Sequence, residues 1–303
     1  MGDRAAQFLK IVEESANFGL REEVWTTPKP GLVDRRDSGS HKDMDYMTFK
    51  RSIKAIVPYI VEMARTGLSF EGREEELFLV VREIGKSAEK AMLYATEGVN
   101  THKGAIFSLG IISASLGLYF QRNKSTEFRL NPADVLALSG RIVSRDLKKE
   151  LESIKRKKPE THGEKLYIQY GISGIRGEAI RGFPSLSLLA IPALKNALKE
   201  QNSRNAAYLK VLLHLMSQVD DTNILARSDM KTLRYVQTQA QRFLEEHPLI
   251  DGQAIDALAG MNMDFVRRNI SPGGCADLLA IAIFLEKLEE LWEQKIPSQK
   301  EVL

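Results

Sequence analysis

The sequence predicts an all-α fold: a multi-helical single globular domain over residues 1–303 with long functional loops. Three observations carry this expectation. Apolar residues recur every three or four positions through most of the chain, which is the period of an amphipathic helix. No stretch alternates strictly enough between apolar and polar residues to read as a strand. The periodic segments are separated by polar blocks, and neither an internal repeat nor a Gly/Ser/Pro linker divides the chain.

The first helix is MGDRAAQFLKIVEESANFGLREEV, which mixes charge with helically spaced apolar residues and lacks the compact apolar core of a secretory signal. A long loop follows at 26–47, dense in Pro, Gly, Asp and Lys; loops of that length are uncommon unless they are functional. Two helices come next, marked by Phe49, Ile53, Ile56, Ile60, Val61 and Ala64 and then by Leu77, Val80, Val81, Ile84, Ala88, Ala91 and Leu93. Further helices are expected over 102–122, 132–157, 186–200, 205–218, 229–246 and 271–293. The uncharged run 104–120 is shorter than a usual membrane span and reads as a buried helix. The basic run 148–158 closes a helix at the end where cations complement the dipole.

Composition narrows the function. The 303 residues carry 43 basic and 40 acidic side chains, a net charge of +3, so no overall field calls for nucleic acid. One cysteine, Cys275, excludes an intramolecular disulfide and a Cys-rich zinc site and fits a reducing, cytoplasmic compartment. Neither a membrane nor a nucleic-acid partner is expected.

Five blocks carry the candidate chemistry: TPKPGLVDRRDSGSHKDMDY at 27–46, GVNTHKG at 98–104, HGEKLYIQYGISGIRGEAIRGFP at 162–184, DDTN at 220–223 and SPGGCADLLA at 271–280. Glycine permits close backbone approach to a ligand, Lys and Arg suit phosphates, and Asp or Glu suit a divalent cation. In the first block Lys29, Arg35, Arg36, His41 and Lys42 are candidate phosphate donors. Asp43 and Asp45, at i and i+2 of an extended loop, point to one side and could share a metal-bound water shell. In the second, Asn100 or Thr101 could cap a helix whose positive end lies beside His102 and Lys103, a candidate phosphate seat. Asp220 and Asp221 suit a hard cation or a cap. Ser271 and Pro272 start a helix whose first turn is left open by Gly273 and Gly274, with Asp277 one turn on, costly beside apolar residues unless it is paired or binds a cation. Each block also has a plainer reading as a surface loop, an ordinary cap or a paired carboxylate.

Familiar nucleotide and metal motifs are missing. Gly85-Lys86-Ser87 ends like a Walker A loop but has Val80 where the first glycine belongs, and Gly171, Gly174 and Gly177 have the wrong spacing for a dinucleotide fingerprint. The first block lacks the offsets of an EF-hand, and no paired-histidine zinc spacing occurs.

Taken together and in this order, TPKPGLVDR with HKDMD, GVNTHKGAIFSLG, HGE with GIRGEA and GFP, DTN, and SPGGCADLLA resemble the triphosphoribosyl-dephospho-CoA synthase family, from Thr27 to Leu285. The resemblance implies an all-helical, magnesium-dependent enzyme. It would transfer the triphosphoribosyl part of ATP to the ribose hydroxyl of dephospho-CoA, release adenine, and make the prosthetic-group precursor of citrate lyase or malonate decarboxylase. It implies small-molecule nucleotide partners and a downstream holo-acyl-carrier-protein synthase, and leaves the pathway and the oligomeric state open. Such chemistry develops oxocarbenium character and needs an acid for adenine, a base for the hydroxyl and a triphosphate clamp. On this basis Glu164, Glu178, Asp277 and His102 are the candidate catalytic residues. Lys29, Arg35, His41, Lys42, Asn100, Lys103, Arg176, Ser271, Gly273 and Gly274 are assigned to substrate and phosphate, and Asp43, Asp45, Asp220 and Asp221 to magnesium. The alternatives are a magnesium-dependent all-helical hydrolase of nucleotide or ADP-ribose N-glycosidic bonds, and a non-catalytic nucleotide-binding helical protein.

Overall fold

The computed structural model describes residues 3–123, 130–156 and 158–295, and all regular structure among them is helical: thirteen α-helices and one π-helical segment. The fold is all-α. At its centre is α4 (Lys103–Arg122), in which most of the apolar residues and three serines, Ser108, Ser113 and Ser115, are buried alike. By length and composition α4 could cross a membrane, but 78% of its most apolar window is buried inside the protein.

The helix α2 (Tyr46–Leu68) crosses α4 closely because small residues face each other. A β-carbon on Gly67 would overlap the Ala114 carbonyl, and one on Gly117 would overlap the Ala64 carbonyl, so each glycine supports backbone contact that alanine would force apart. Around this pair lie α1 (Asp3–Trp25), α3 (Glu74–Ala95) and α5 (Pro132–Ile154). The long C-terminal helix α13 (Gly273–Lys295) packs along α1 and also reaches α4 and α9 (Arg204–Gln218). Helices α8 (Ile191–Glu200) and α11 (Met230–Glu246) pack on α9. One hydrophobic cluster runs from Phe8 to Trp292, and each fully buried Leu, Ile or Phe in it contributes on the order of 1.5–3 kcal/mol.

Helix starts are fixed by side-chain caps. Asn131, Ser203, Asp229 and Asp251 each accept a first-turn N–H, and Pro132 occupies the first turn of α5, where its missing N–H costs nothing. Several boundaries differ from the expectation. The helix expected over 132–157 ends at Ile154, and Lys157 lies outside the described residues. The segment 186–200 divides into a π-helical turn, Ser185–Ala190, and α8. Blocks read as polar loops contain short helices: α6 (His162–Tyr170), α7 (Gly174–Ile180) and α10 (Thr222–Arg227). The helix α12 (Gly252–Arg267) was not expected at all; its buried stripe is only Ala254, Leu258, Asn262 and Phe265, too narrow and too polar to show as a periodic signal.

Candidate active site

A cleft of about 1520 Å³ opens at the N-terminal ends of α4 and α13, and every one of the five polar blocks contributes to its lining. His41 and Asp43 come from the first loop; Asn100, His102 and Lys103 come from the turn before α4. Arg176 and Glu178 come from α7, while Asp220 and Asp221 lead into α10. Ser271, Gly273, Gly274 and Asp277 complete the far wall.

The first loop is an ordered wall. Residues 26–34 are buried, and Asp34 accepts the backbone N–H groups of Lys29 (2.9 Å), Arg36 (2.6 Å) and Asp37 (3.3 Å). Asn262 of α12 ties the loop down, accepting the Gly31 N–H at 2.8 Å and donating to Asp37 Oδ2 at 3.0 Å. This bonding explains how a loop of that length keeps one shape.

Three acids meet at the floor. Asp221 is buried and joins two helices: Oδ1 accepts the Asn223 N–H at 2.8 Å at the start of α10, and Oδ2 accepts the Cys275 N–H at 2.8 Å in the first turn of α13. Gly274 makes room for it, since a β-carbon there would lie 3.1 Å from both carboxylate oxygens. Asp277 sits one turn further along α13 and makes no hydrogen bond or ion pair with any described residue. Burial first, then Glu23 and Asp221, push its carboxyl well above the usual carboxylate range. A β-carbon on Gly104 would overlap Asp277 Oδ2, so this carboxyl lies against the first turn of α4. Glu23, on the cleft side of α1, is ion-paired with the buried Lys29 ammonium, which also donates to the Glu23 carbonyl at 2.7 Å. Burial raises Glu23 despite the opposing pull of Lys29.

Two histidines are held neutral. His41 Nδ1 faces the Arg227 guanidinium at 3.0 Å and Nε2 faces Ser271 Oγ at 2.8 Å. Arginine only donates, so Nδ1 accepts and the proton sits on Nε2, donated to Ser271. Burial and Arg227 lower the His41 pKa to about 4. Ser271 therefore receives a hydrogen bond and is not activated as a nucleophile. His102 is 3% exposed, with Nδ1 2.6 Å from Ser52 Oγ, its ring edge-on to Phe49, and Nε2 buried without a partner among the described residues. Burial and the nearby Lys29 charge lower its pKa to about 3.

Other candidates are placed differently from the expectation. Lys29 is spent on Glu23, because a buried ammonium needs an anion. Arg35 lies over the Trp25 ring at 5.6 Å, and Lys42 is exposed; neither is among the described residues lining the cleft. Asp45 caps α2, accepting from the Thr48 backbone and hydroxyl, both at 2.8 Å. Glu164 accepts the amides of Glu160 and Thr161 in the capping box that starts α6. Glu178 lines the cleft, but its oxygens take the Ser185 N–H at 3.0 Å and the Arg181 guanidinium at 3.1 Å. Asn100 Oδ1 accepts the Lys103 N–H at 3.2 Å, and Lys103 Nζ meets Glu89 at 3.0 Å. Arg176 has no ion-pair partner among the described residues.

Sequence reasoning did not single out Glu23, Ser52, Arg82, Arg181 or Arg227. The first two carried a signal, since each is a polar residue on the buried stripe of its helix. Arg227 ends a six-residue helix, with nothing local to mark it.

The four-aspartate magnesium set does not assemble. Asp45 and Asp221 are committed to caps, Asp220 is 3.8 Å from Arg234, and no three metal-ligating side chains converge among the described residues. Magnesium needs only one or two carboxylates when phosphates supply the rest. Asp43 and Asp220, both lining the cleft, meet that smaller requirement.

A family model described as ATP:dephospho-CoA triphosphoribosyl transferase matches residues 10–296. The chain is 40% identical over 267 residues to a probable 2-(5''-triphosphoribosyl)-3'-dephosphocoenzyme-A synthase of Salmonella gallinarum, covering 88% of this chain and 87% of that one. The corresponding synthase of Escherichia fergusonii gives the same identity and coverage. A probable synthase of Streptococcus mutans is 37% identical over 279 residues, 90% of this chain and 94% of that one. These names give no support to the hydrolytic or the non-catalytic alternative. No solved structure matches the chain significantly.

Proposed function

The chain belongs to the ATP:dephospho-CoA triphosphoribosyl transferase family, and we propose that its cleft is where the triphosphoribosyl group of ATP passes to the ribose hydroxyl of dephospho-CoA, with release of adenine. The observation that carries the assignment of the cleft is Asp277: a carboxyl with no hydrogen-bond or ion-pair partner among the described residues, pushed by burial well above the usual carboxylate range at the meeting point of the five blocks. A cleft of about 1520 Å³ exceeds the roughly 300–1,000 Å³ typical for one drug-sized ligand, as two nucleotides require.

Breaking the N-glycosidic bond sends its electron pair to adenine, which must take a proton, and leaves positive charge on the ribose. Asp277 supplies that proton. Its carboxylate, once formed, then faces the cationic sugar and takes the proton of the incoming hydroxyl as the new C–O bond closes, so the acid is regenerated and no proton is consumed overall. Lys103 and Arg176 are the phosphate-facing cations, with the Gly273 and Gly274 amides, which have no intrahelical acceptor, as further donors. Magnesium would be held mainly by phosphate oxygens, with Asp43 and Asp220 as the reachable carboxylates, and would neutralise triphosphate charge. The buried single cysteine fits a cytoplasmic setting, and the resemblance of the sequence blocks points to a holo-acyl-carrier-protein synthase as the consumer of the product.

Mass spectrometry after incubation with ATP, magnesium and dephospho-CoA tests the reading. Adenine and the coupled product should appear together; adenine released without dephospho-CoA would instead indicate a hydrolase.

A further inference from the structure

Ser52, Thr101 and His102 form a hydrogen-bonded chain that ends in an unused donor at the cleft wall. Thr101 Oγ1 donates to Ser52 Oγ at 2.7 Å, and the Ser52 hydroxyl proton then has one acceptor among the described residues, His102 Nδ1 at 2.6 Å. Nδ1 is therefore an acceptor, and the single proton of the neutral ring sits on Nε2. That Nε2–H is buried with no acceptor among the described residues, on a residue that lines the cleft. The ring cannot swing to find one: Phe49 meets it edge-on at 4.9 Å between centroids, Ser52 is fully buried, and the backbone N–H of His102 is anchored on Met92 Sδ at 3.3 Å. A buried donor without a partner is expensive and rare in folded proteins. One held by so much supporting structure is arranged for a ligand.

We propose that His102 is a neutral hydrogen-bond donor to an acceptor atom of bound ATP, a phosphate oxygen or a purine ring nitrogen, and that Ser52 and Thr101 are positioning residues that fix its tautomer. This rests on ATP being the substrate of the cleft. The role differs from that of a proton-transferring acid: Nε2–H stays on the ring and orients the nucleotide. Burial, and then the nearby Lys29 ammonium, oppose protonation of the ring and favour its neutral form.

The test is ¹⁵N NMR of the His102 imidazole in the full chain at neutral pH, without ligand and with ATP, tripolyphosphate or adenosine. Nε2 should carry the proton in the free protein, and its resonance should move with ATP. Movement with tripolyphosphate alone assigns a phosphate oxygen; movement with adenosine alone assigns the base. Thr101→Val should weaken the Nε2–H preference and raise the ATP dissociation constant about tenfold, the worth of one ordinary hydrogen bond, while Thr101→Ser restores both. A proton found on Nδ1, or an Nε2 resonance unmoved by ATP, overturns the inference whether or not the enzyme releases adenine. Failure of adenine release with an ATP-responsive Nε2–H would count against the proposed reaction alone.

Discussion

The carboxyl of Asp277 occupies the space where a side chain on Gly104 would begin. Two helices thus meet at the cleft, α13 bringing the acid and α4 bringing a first turn with no β-carbon in its way. Gly104→Ala should push the carboxyl aside and lower the rate of adenine release by on the order of 100-fold, the usual scale for an ångström of misplacement. Thermal unfolding should change far less than activity; equal losses in both would mean that the contact is only structural.

Asp277→Asn should abolish most of the activity and yet stabilise the fold at neutral pH. The sign follows from linkage: the folded-state pKa is raised above the unfolded value, so the wild-type carboxyl favours the fold only when protonated. That contribution is present below the unfolded pKa and is lost as pH rises through the folded one. The stability gain of the variant should therefore shrink as pH falls into the ordinary carboxylate range. Denaturant titrations of both proteins across pH check this.

His102 acts in the opposite sense on acidification. Its pKa is lowered from 6.5 to about 3, so the unfolded chain binds the proton first, and its neutral form loses its stabilising advantage as pH falls from 6.5. The expected loss from this group is about 1.4 kcal/mol per pH unit inside that window. The pH dependence of unfolding in His102→Phe should be shallower by that amount; parallel curves would show that the ring is not held neutral.

Lys29 is expected to matter for folding more than for phosphate affinity. Removing one partner of a buried ion pair costs on the order of 3–5 kcal/mol, so Lys29→Met should unfold much more readily, and Lys29→Met with Glu23→Gln should recover part of the loss. Equilibrium unfolding of the single and double variants measures it. A soluble, stable Lys29→Met with weakened ATP binding would favour the phosphate role instead.

The helical class and most long helices are legible because apolar period and caps are local: Pro132, Asn131 and the 3.6-residue stripes are visible in the chain itself. So is the interest of the five blocks. What the sequence hides is how each polar residue is spent. Asp43 and Asp45 look equivalent, but the Thr48 N–H claims Asp45 as a cap. Asp220 and Asp221 are neighbours, yet one is exposed and the other bridges two helices. Glu23 and Asp277 are the converse case: charged residues on apolar stripes, whose meeting across α1 and α13 depends on packing between segments 254 positions apart. No local pattern encodes that distance.

Single-turnover release of adenine by Asp277→Asn, with saturating ATP, magnesium and dephospho-CoA and with ATP binding verified separately, addresses the role of the cleft most directly. The variant should bind ATP and remain folded while adenine release slows by roughly 100-fold or more, the scale of a lost general acid. Release at the wild-type rate would show that Asp277 is not the acid and that the chemistry lies elsewhere.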